Sequence, residues 1–267
     1  AKNTYRVAVG GYSNEASGYA AAAVGGQYNK ASGTQSAVLG GQYNKVPGFL
    51  SVVLGGQYNV ADSAYSAVLG GQNNRATSTY AAAVVGFSND VTASVAAAVG
   101  GQYNKATSSH SAVLGGQFNE ATSFASAVLG GQYNEASGAQ SVVLGGQYNK
   151  VTGSYSGVLG GQYNKATKDY SAVLGGQFNE AANDSSAVVG GFDNTAAGAG
   201  SVVVGGGYKY YDNGSHKWFT VSGDNAANGH GSIIIGGTNN VTTAAASSSV
   251  VIGGKGTSAD AEYAVAI

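Results

Sequence analysis

One asparagine returns with a 15-residue period, at 14, 29, 44, 59, 74, 89, 104, 119, 134, 149, 164, 179 and 194, without a miss. Around it the decamer Ser36-Ala37-Val38-Leu39-Gly40-Gly41-Gln42-Tyr43-Asn44-Lys45 recurs with small changes along most of the chain. A period this short cannot hold a helix pair, whose repeats need about 33 residues or more. Segments rich in Gly and Val are also poor helix formers. The repeat is therefore expected to be one coil of an all-β parallel solenoid.

Two strands are readable in each coil. The first is Ser-Ala-Val-Leu-Gly-Gly, as at 111–116, and the second is Gln-Tyr-Asn-Lys-Ala, as at 102–106. The second alternates with the period of a half-buried strand, which predicts Asn104 and Ala106 inward and Tyr103 and Lys105 outward. The first is continuously apolar, as in a strand buried on both faces. A narrow coil has one interior, so a second chain is expected to cover the other face. Leu39, Leu54, Leu69, Leu114, Leu129, Leu144, Leu159 and Leu174 are read as trimer or roll core. An uncovered stripe of them would exceed the few hundred Å² that a soluble monomer tolerates, so an obligate homo-oligomer is expected.

Asn29, Asn44, Asn59, Asn104, Asn119, Asn134, Asn149, Asn164 and Asn179 are read as a structural ladder, in which stacked amides bond to one another up the solenoid. The Gly pair after each Leu marks a corner where a bulky Cβ would not fit. In coil 81–95 Val85 takes the first Gly position and only Gly86 remains, which implies that one glycine suffices.

Composition narrows the function. Charged residues make up 9% of the chain, against about 25% in an average soluble domain. Twelve basic residues against thirteen acidic ones give a net charge of −1, which supplies no basic footprint for nucleic acid or an anionic membrane surface. Neither partner is expected. With no cysteine there is no disulfide framework, thiolate metal site or thiol redox chemistry. His110, His216 and His230 lack metal-ligand spacing, and no calcium-roll motif occurs, so no metal and no cofactor are expected. No apolar run reaches the length of a membrane span, roughly 18 residues, and the start of the chain carries no apolar signal segment. The missing initiator Met and a last coil that stops inside its motif suggest a mature chain or an excised fragment.

Tyr or Phe precedes the asparagine at 28, 43, 58, 103, 118, 133, 148, 163 and 178, and stands again at 208. Where that position is not aromatic, Tyr12, Phe87 and Phe192 come one residue earlier. Such a ladder either stacks between coils or presents a contact surface to carbohydrate or protein. Outward charges form a second column, Glu15, Lys30, Lys45, Arg75, Asp90, Lys105, Glu120, Glu135, Lys150, Lys165 and Glu180. Glu120 and Glu135, one coil apart, approach the ~5 Å spacing of retaining glycosidases. Neighbouring Lys105 and Lys150 and a flat surface favour a solvated charge ladder, and the chain is read as no enzyme. A column of Thr77, Thr92, Thr107, Thr122, Thr152 and Thr167 suggests an ice-binding face, but the charges two residues before it break the array.

Only 207–231 leaves the repeat. Tyr208-Lys209-Tyr210-Tyr211 and His216-Lys217-Trp218-Phe219-Thr220-Val221 flank Asp212-Asn213-Gly214-Ser215, a hairpin signal with an Asn-Gly turn. Tyr208, Tyr210, Tyr211, His216, Lys217, Trp218 and Phe219 are the candidate ligand contacts, because aromatic clusters are typical of binding hot spots. The segment either contacts a receptor or braces a neighbouring subunit. The expected organisation is roll repeats over 1–206, the insertion over 207–231 and further repeats over 232–267.

Ser-Val-Val-Leu-Gly-Gly-Gln-Tyr-Asn-Lys-Val-Thr-Gly at 141–153, Ser232-Ile233-Ile234-Ile235-Gly236, Ser249-Val250-Val251-Ile252-Gly253 and the final Ala264-Val265-Ala266-Ile267 carry a family resemblance. The chain resembles the YadA-like head domain of trimeric autotransporter adhesins over nearly its whole length. The resemblance implies a left-handed parallel β-roll in a side-by-side homotrimer on the bacterial cell surface, joined by a stalk to an outer-membrane anchor outside this sequence. It further implies a non-enzymatic head that attaches to host extracellular-matrix proteins or epithelial cell receptors. The chain departs from the family in a slightly longer repeat and in an Asn where the family has its first inward Ala. The alternative is a phage or tailocin fibre segment with glycan binding.

Overall fold

The computed structural model describes residues 5–212, 217–221 and 223–267. The chain is an all-β parallel solenoid of about 16 turns. Contacts divide it into two compact units, Ala1–Tyr133 and Asn134–Ile267. Within each, one strand per coil builds each of two walls. In the first unit Ala112 and Val113 pair with Ala127 and Val128 on one wall, and Lys105 and Ala106 pair with Glu120 and Ala121 on the other. In the second unit Val142 pairs with Gly157 and Lys150 with Lys165. Every one of these pairs keeps the spacing of the asparagines, so the sequence period is the coil.

The strands are shorter than the sequence suggests. Of 111–116 only Ala112–Val113 is strand, and of 102–106 only Lys105–Ala106. Left-handed backbone cuts both: φ is +55° at Tyr103, +61° at His110 and +83° at Gly116. For a residue with a Cβ this region costs about 1–2 kcal/mol, and it recurs in coil after coil. Hydrogen bonding offsets the cost. Gln102 N–H donates forward to Gly116 O at 2.9 Å, whereas Tyr103 N–H donates backward to Phe87 O at 2.9 Å. At the other corner Ala112 N–H donates forward to Ser126 O at 3.0 Å and His110 N–H backward to Ser94 O at 3.1 Å. Each corner is thereby tied to the coils on both sides, and these corner amides find a carbonyl, as buried backbone must.

Val38, Val53, Val68, Val113 and Val128 are fully buried from one wall, as are Ala31, Val46, Ala61, Ala76 and Ala106 from the other. Buried serines share the first wall: Ser36 Oγ donates to Gly33 O at 2.8 Å and Ser51 Oγ to Gly48 O at 2.7 Å. The leucines do not belong to this core. Leu39, Leu54, Leu69, Leu114 and Leu129 in the first unit, and Leu144, Leu159 and Leu174 in the second, are 41–50% exposed. Strand alternation turns Ser and Val inward and leaves Leu on the outer face. The roll core is therefore valine, and within the chain the apolar strand is covered on one face only.

The second glycine of each pair is the demanding one. Gly56 and Gly71 have φ of +85° and +83°, and a Cβ on either would overlap the carbonyl of the next coil. The first position is free: a Cβ on Gly55 or Gly70 would meet nothing within 4 Å, which is why Val85 is accommodated there.

Residues Tyr208–Asp212 and Lys217–Val221 form an antiparallel ribbon, with Tyr208 opposite Val221 and Asp212 opposite Lys217. The Asn213-Gly214 turn and His216 lie outside the described residues. The roll resumes before 231. Ala226 and Ala227 pair with Thr195 and Ala196, and Asn225 takes a place in the asparagine column, its Nδ2 donating to Asn194 Oδ1 at 2.9 Å.

Candidate binding surfaces

The asparagines are fully buried, or nearly so, at Asn29, Asn44, Asn59, Asn104 and Asn119 in the first unit and at Asn134, Asn149, Asn164 and Asn179 in the second. Asn59 shows how each is used. Its Nδ2 donates to Gly55 O at 2.9 Å and to Gly71 O at 3.0 Å, while its Oδ1 accepts the Asn74 N–H at 2.9 Å. The ladder thus runs chiefly from side chain to backbone. Direct amide-to-amide bonds also occur, as from Asn44 Nδ2 to Asn29 Oδ1 at 3.2 Å. With both N–H groups and the carbonyl engaged, such a column holds the corner and leaves nothing for a ligand.

The aromatic column stands outside that corner. Tyr28, Tyr43 and Tyr58 stack at 4.9 Å with interplanar angles of 4° and 3°. Tyr103, Phe118 and Tyr133 stack at 4.8 Å, and in the second unit Tyr148, Tyr163 and Phe178 stack at 4.8 and 4.9 Å. All nine rings keep 38–48% of their surface exposed, so each stack also presents an aromatic ridge to solvent. Rings placed one residue earlier terminate it edge-on: Tyr12 on Tyr28 at 5.4 Å, Phe87 on Tyr103 at 5.2 Å and Phe192 on Phe178 at 5.5 Å.

A second, shorter aromatic column went unread in the sequence. Phe49 meets Tyr65 edge-on at 5.7 Å and Tyr65 stacks on Tyr80 at 4.8 Å; in the second unit Tyr155 stacks on Tyr170 at 5.2 Å. Tyr65, Tyr80, Tyr155 and Tyr170 all have positive φ. The 15-residue spacing from Tyr65 to Tyr80 and from Tyr155 to Tyr170 was the available signal, hidden because the same column also holds Gln35, Leu50, Val95 and His110.

Outward charges pair between neighbouring coils. Lys30 meets Glu15 at 3.0 Å, Lys105 meets Glu120 at 2.7 Å and Lys150 meets Glu135 at 2.8 Å. Burial pushes the Glu135 carboxyl up, but hydrogen bonds from Lys150 and Ser137 outweigh it and hold the group below its ordinary value. A glycosidase acid requires the opposite shift. Glu15 is also lowered, chiefly by its bond from Lys30.

Two cavities open beside the aromatic column, each where a ring is missing. One of about 300 Å³ in the first unit is lined by Asn73, Arg75, Ser88, Asp90, Tyr103 and Lys105, with Asn73 and Ser88 standing at ring positions. Another of about 360 Å³ in the second unit is lined by Tyr148, Tyr163, Phe178, Lys165, Glu180 and Asp193, with Asp193 at a ring position.

On the ribbon, backbone pairing sets Tyr210 opposite Phe219 and Tyr211 opposite Trp218. The side chains of the candidate contacts Tyr208, Tyr210, Tyr211, Lys217, Trp218 and Phe219 lie outside what the structure describes. Among the described residues no helix is long and apolar enough to cross a membrane. No protein-family model matches the chain, and no curated protein is similar enough to match it.

Proposed function

We propose that this chain is the head of a trimeric bacterial surface adhesin: a left-handed β-roll, three copies side by side, that attaches to host matrix proteins or epithelial receptors. The observation that carries the reading is the exposed leucine column on the outer face of the valine wall. Exposed apolar stripes of this kind mark interaction surfaces. A second copy of the chain is the natural cover, because its own leucines recur at the same coil spacing and can match the column leucine for leucine. Three rolls around one axis would hide all three columns and leave the aromatic ridges and charge columns outward. Repeated weak contacts on such a surface act together through effective concentration.

Light scattering tests the assembly, with a solution mass near three times 26.3 kDa expected. The attachment reading is tested with beads carrying the protein, applied to wells coated with collagen, fibronectin or laminin and to epithelial monolayers. Saturable capture by at least one surface is expected. A monomer, or no capture on any surface, overturns the corresponding half of the proposal.

A further inference from the structure

The ribbon of Tyr208–Asp212 and Lys217–Val221 is an insertion into an otherwise unbroken roll. Asn225 follows Asn194 by 31 residues. Removal of 208–223 would return that interval to 15, with Val204-Gly205-Gly206-Gly207-Asp224-Asn225 in the places of Leu-Gly-Gly-Gln-Tyr-Asn. At its base the ladder of the roll is kept: Gly223 N–H donates back to Phe192 O at 2.8 Å, and Gly223 O accepts the Asn239 N–H at 2.7 Å. The ribbon itself stands apart. Among the described residues no other strand of the chain comes within 8 Å of it, Cα to Cα. A two-stranded ribbon alone is marginally stable in water. Five of the ten residues in its strands, Tyr208, Tyr210, Tyr211, Trp218 and Phe219, are aromatic, a type that buries about 150–250 Å² per side chain where it packs.

We propose that the ribbon is a clasp that packs against the roll of a second copy of this chain and locks the side-by-side assembly proposed above, on which the clasp rests. Its root indicates the surface it meets. The chain leaves the roll four residues beyond Val204, and the next strand of that wall pairs Ile235 with Val204. Both stand in the leucine column, 36% and 43% exposed, so the ribbon springs from the edge of the apolar wall that a second copy would cover. Five extended residues reach about 17 Å, more than the ~10 Å between packed sheets, which is enough to cross a neighbouring roll. Charge fits the same occupant. Between Lys168 and Lys255 the roll carries Asp169, Glu180, Asp184, Asp193 and Asp224 and no Lys or Arg, whereas the ribbon strands bring Lys209 and Lys217 against Asp212. A basic ribbon therefore meets an acidic band that every copy presents at the same height.

Trp218 is the only tryptophan in the chain, so its fluorescence reports on the ribbon alone. In the wild-type trimer its emission should be shifted to the blue and protected from acrylamide. In the Leu114→Asp, Leu129→Asp double variant, where light scattering gives a single chain, emission should move to the red and quenching should rise. A variant lacking 208–223 keeps the regular coil and should retain its β signal in circular dichroism, but its trimer should dissociate at a protein concentration about tenfold higher or more. Quenching alike in the trimer and the single chain, or a deletion variant that assembles as tightly as the wild type, overturns the clasp while leaving the trimer standing. A wild-type chain that scatters as a monomer overturns the assembly, and the clasp with it.

Discussion

The backbone N–H of Asn59 donates to the Oδ1 of Asn44 at 2.9 Å, so the side chain of one coil terminates the backbone of the next. Asn59 in turn serves Asn74 in the same way. Removing one such side chain therefore strands groups in two adjacent coils. In Asn59→Ala the carbonyl of Gly55 and the N–H of Asn74 lose their partner, while Gly71 O keeps the Gln57 N–H at 2.9 Å; buried orphans cost about 1–3 kcal/mol each. A loss of at least ~2 kcal/mol is expected in urea unfolding. Asn59→Asp should be worse, because a buried carboxylate would face the two glycine carbonyls that now accept from Nδ2.

The two glycines of a pair should respond oppositely to alanine. Gly71→Ala places a Cβ on left-handed backbone and against the Gly86 carbonyl, so it should cost more than the ~1–2 kcal/mol of the conformation alone. Gly70 has no positive φ and open space around it, so Gly70→Ala should be neutral or stabilising by ~0.4–1 kcal/mol. Paired thermal melts of the two variants decide this.

The coil length, the inward Asn and Ala and the corner glycine were all legible, because each is a strict 15-residue recurrence with one physical explanation. The left-handed corners were not. Tyrosine is a good strand residue, and nothing in Gln-Tyr-Asn-Lys-Ala announces that its Tyr turns the chain; only the reversed hydrogen bond at Tyr103 reveals it. The choice between roll core and outer face for the leucines was not legible for a related reason. A continuous Ala-Val-Leu run carries no alternation, so whether Val or Leu faces inward depends on where the strand begins, and the corner at His110 sets that. The paired strands at Tyr208–Asp212 and Lys217–Val221 were readable from their composition.

Acid should weaken the Glu135–Lys150 pair in a defined window. The folded Glu135 carboxyl sits below its ordinary value of 4.5, so its contribution to stability is complete above that pH and is lost as pH falls through the lowered folded value. The pair is partly exposed, with 34% of the Glu135 side chain accessible, so solvent screening keeps the effect within the ~0–1 kcal/mol of surface pairs. In Lys150→Ala the Glu135 carboxyl should titrate higher by NMR. The stability difference from the wild type should vanish at pH values below the folded titration.

Aspartate scanning across one apolar strand separates folding from assembly. Val113 is fully buried while Leu114, its neighbour, is 47% exposed. Val113→Asp puts an unpaired charge into the roll interior, which the chain cannot solvate, and should abolish the β-sheet signal in circular dichroism. Leu114→Asp and Leu129→Asp together add charge only to the outer face, so each chain should keep its β signal. Their solution mass should fall to that of a single chain, because the column that would meet a second copy now carries two carboxylates. A double variant that is unfolded would place Leu114 and Leu129 in the roll core. A double variant that is folded and still three times 26.3 kDa would move the interface away from the leucine column.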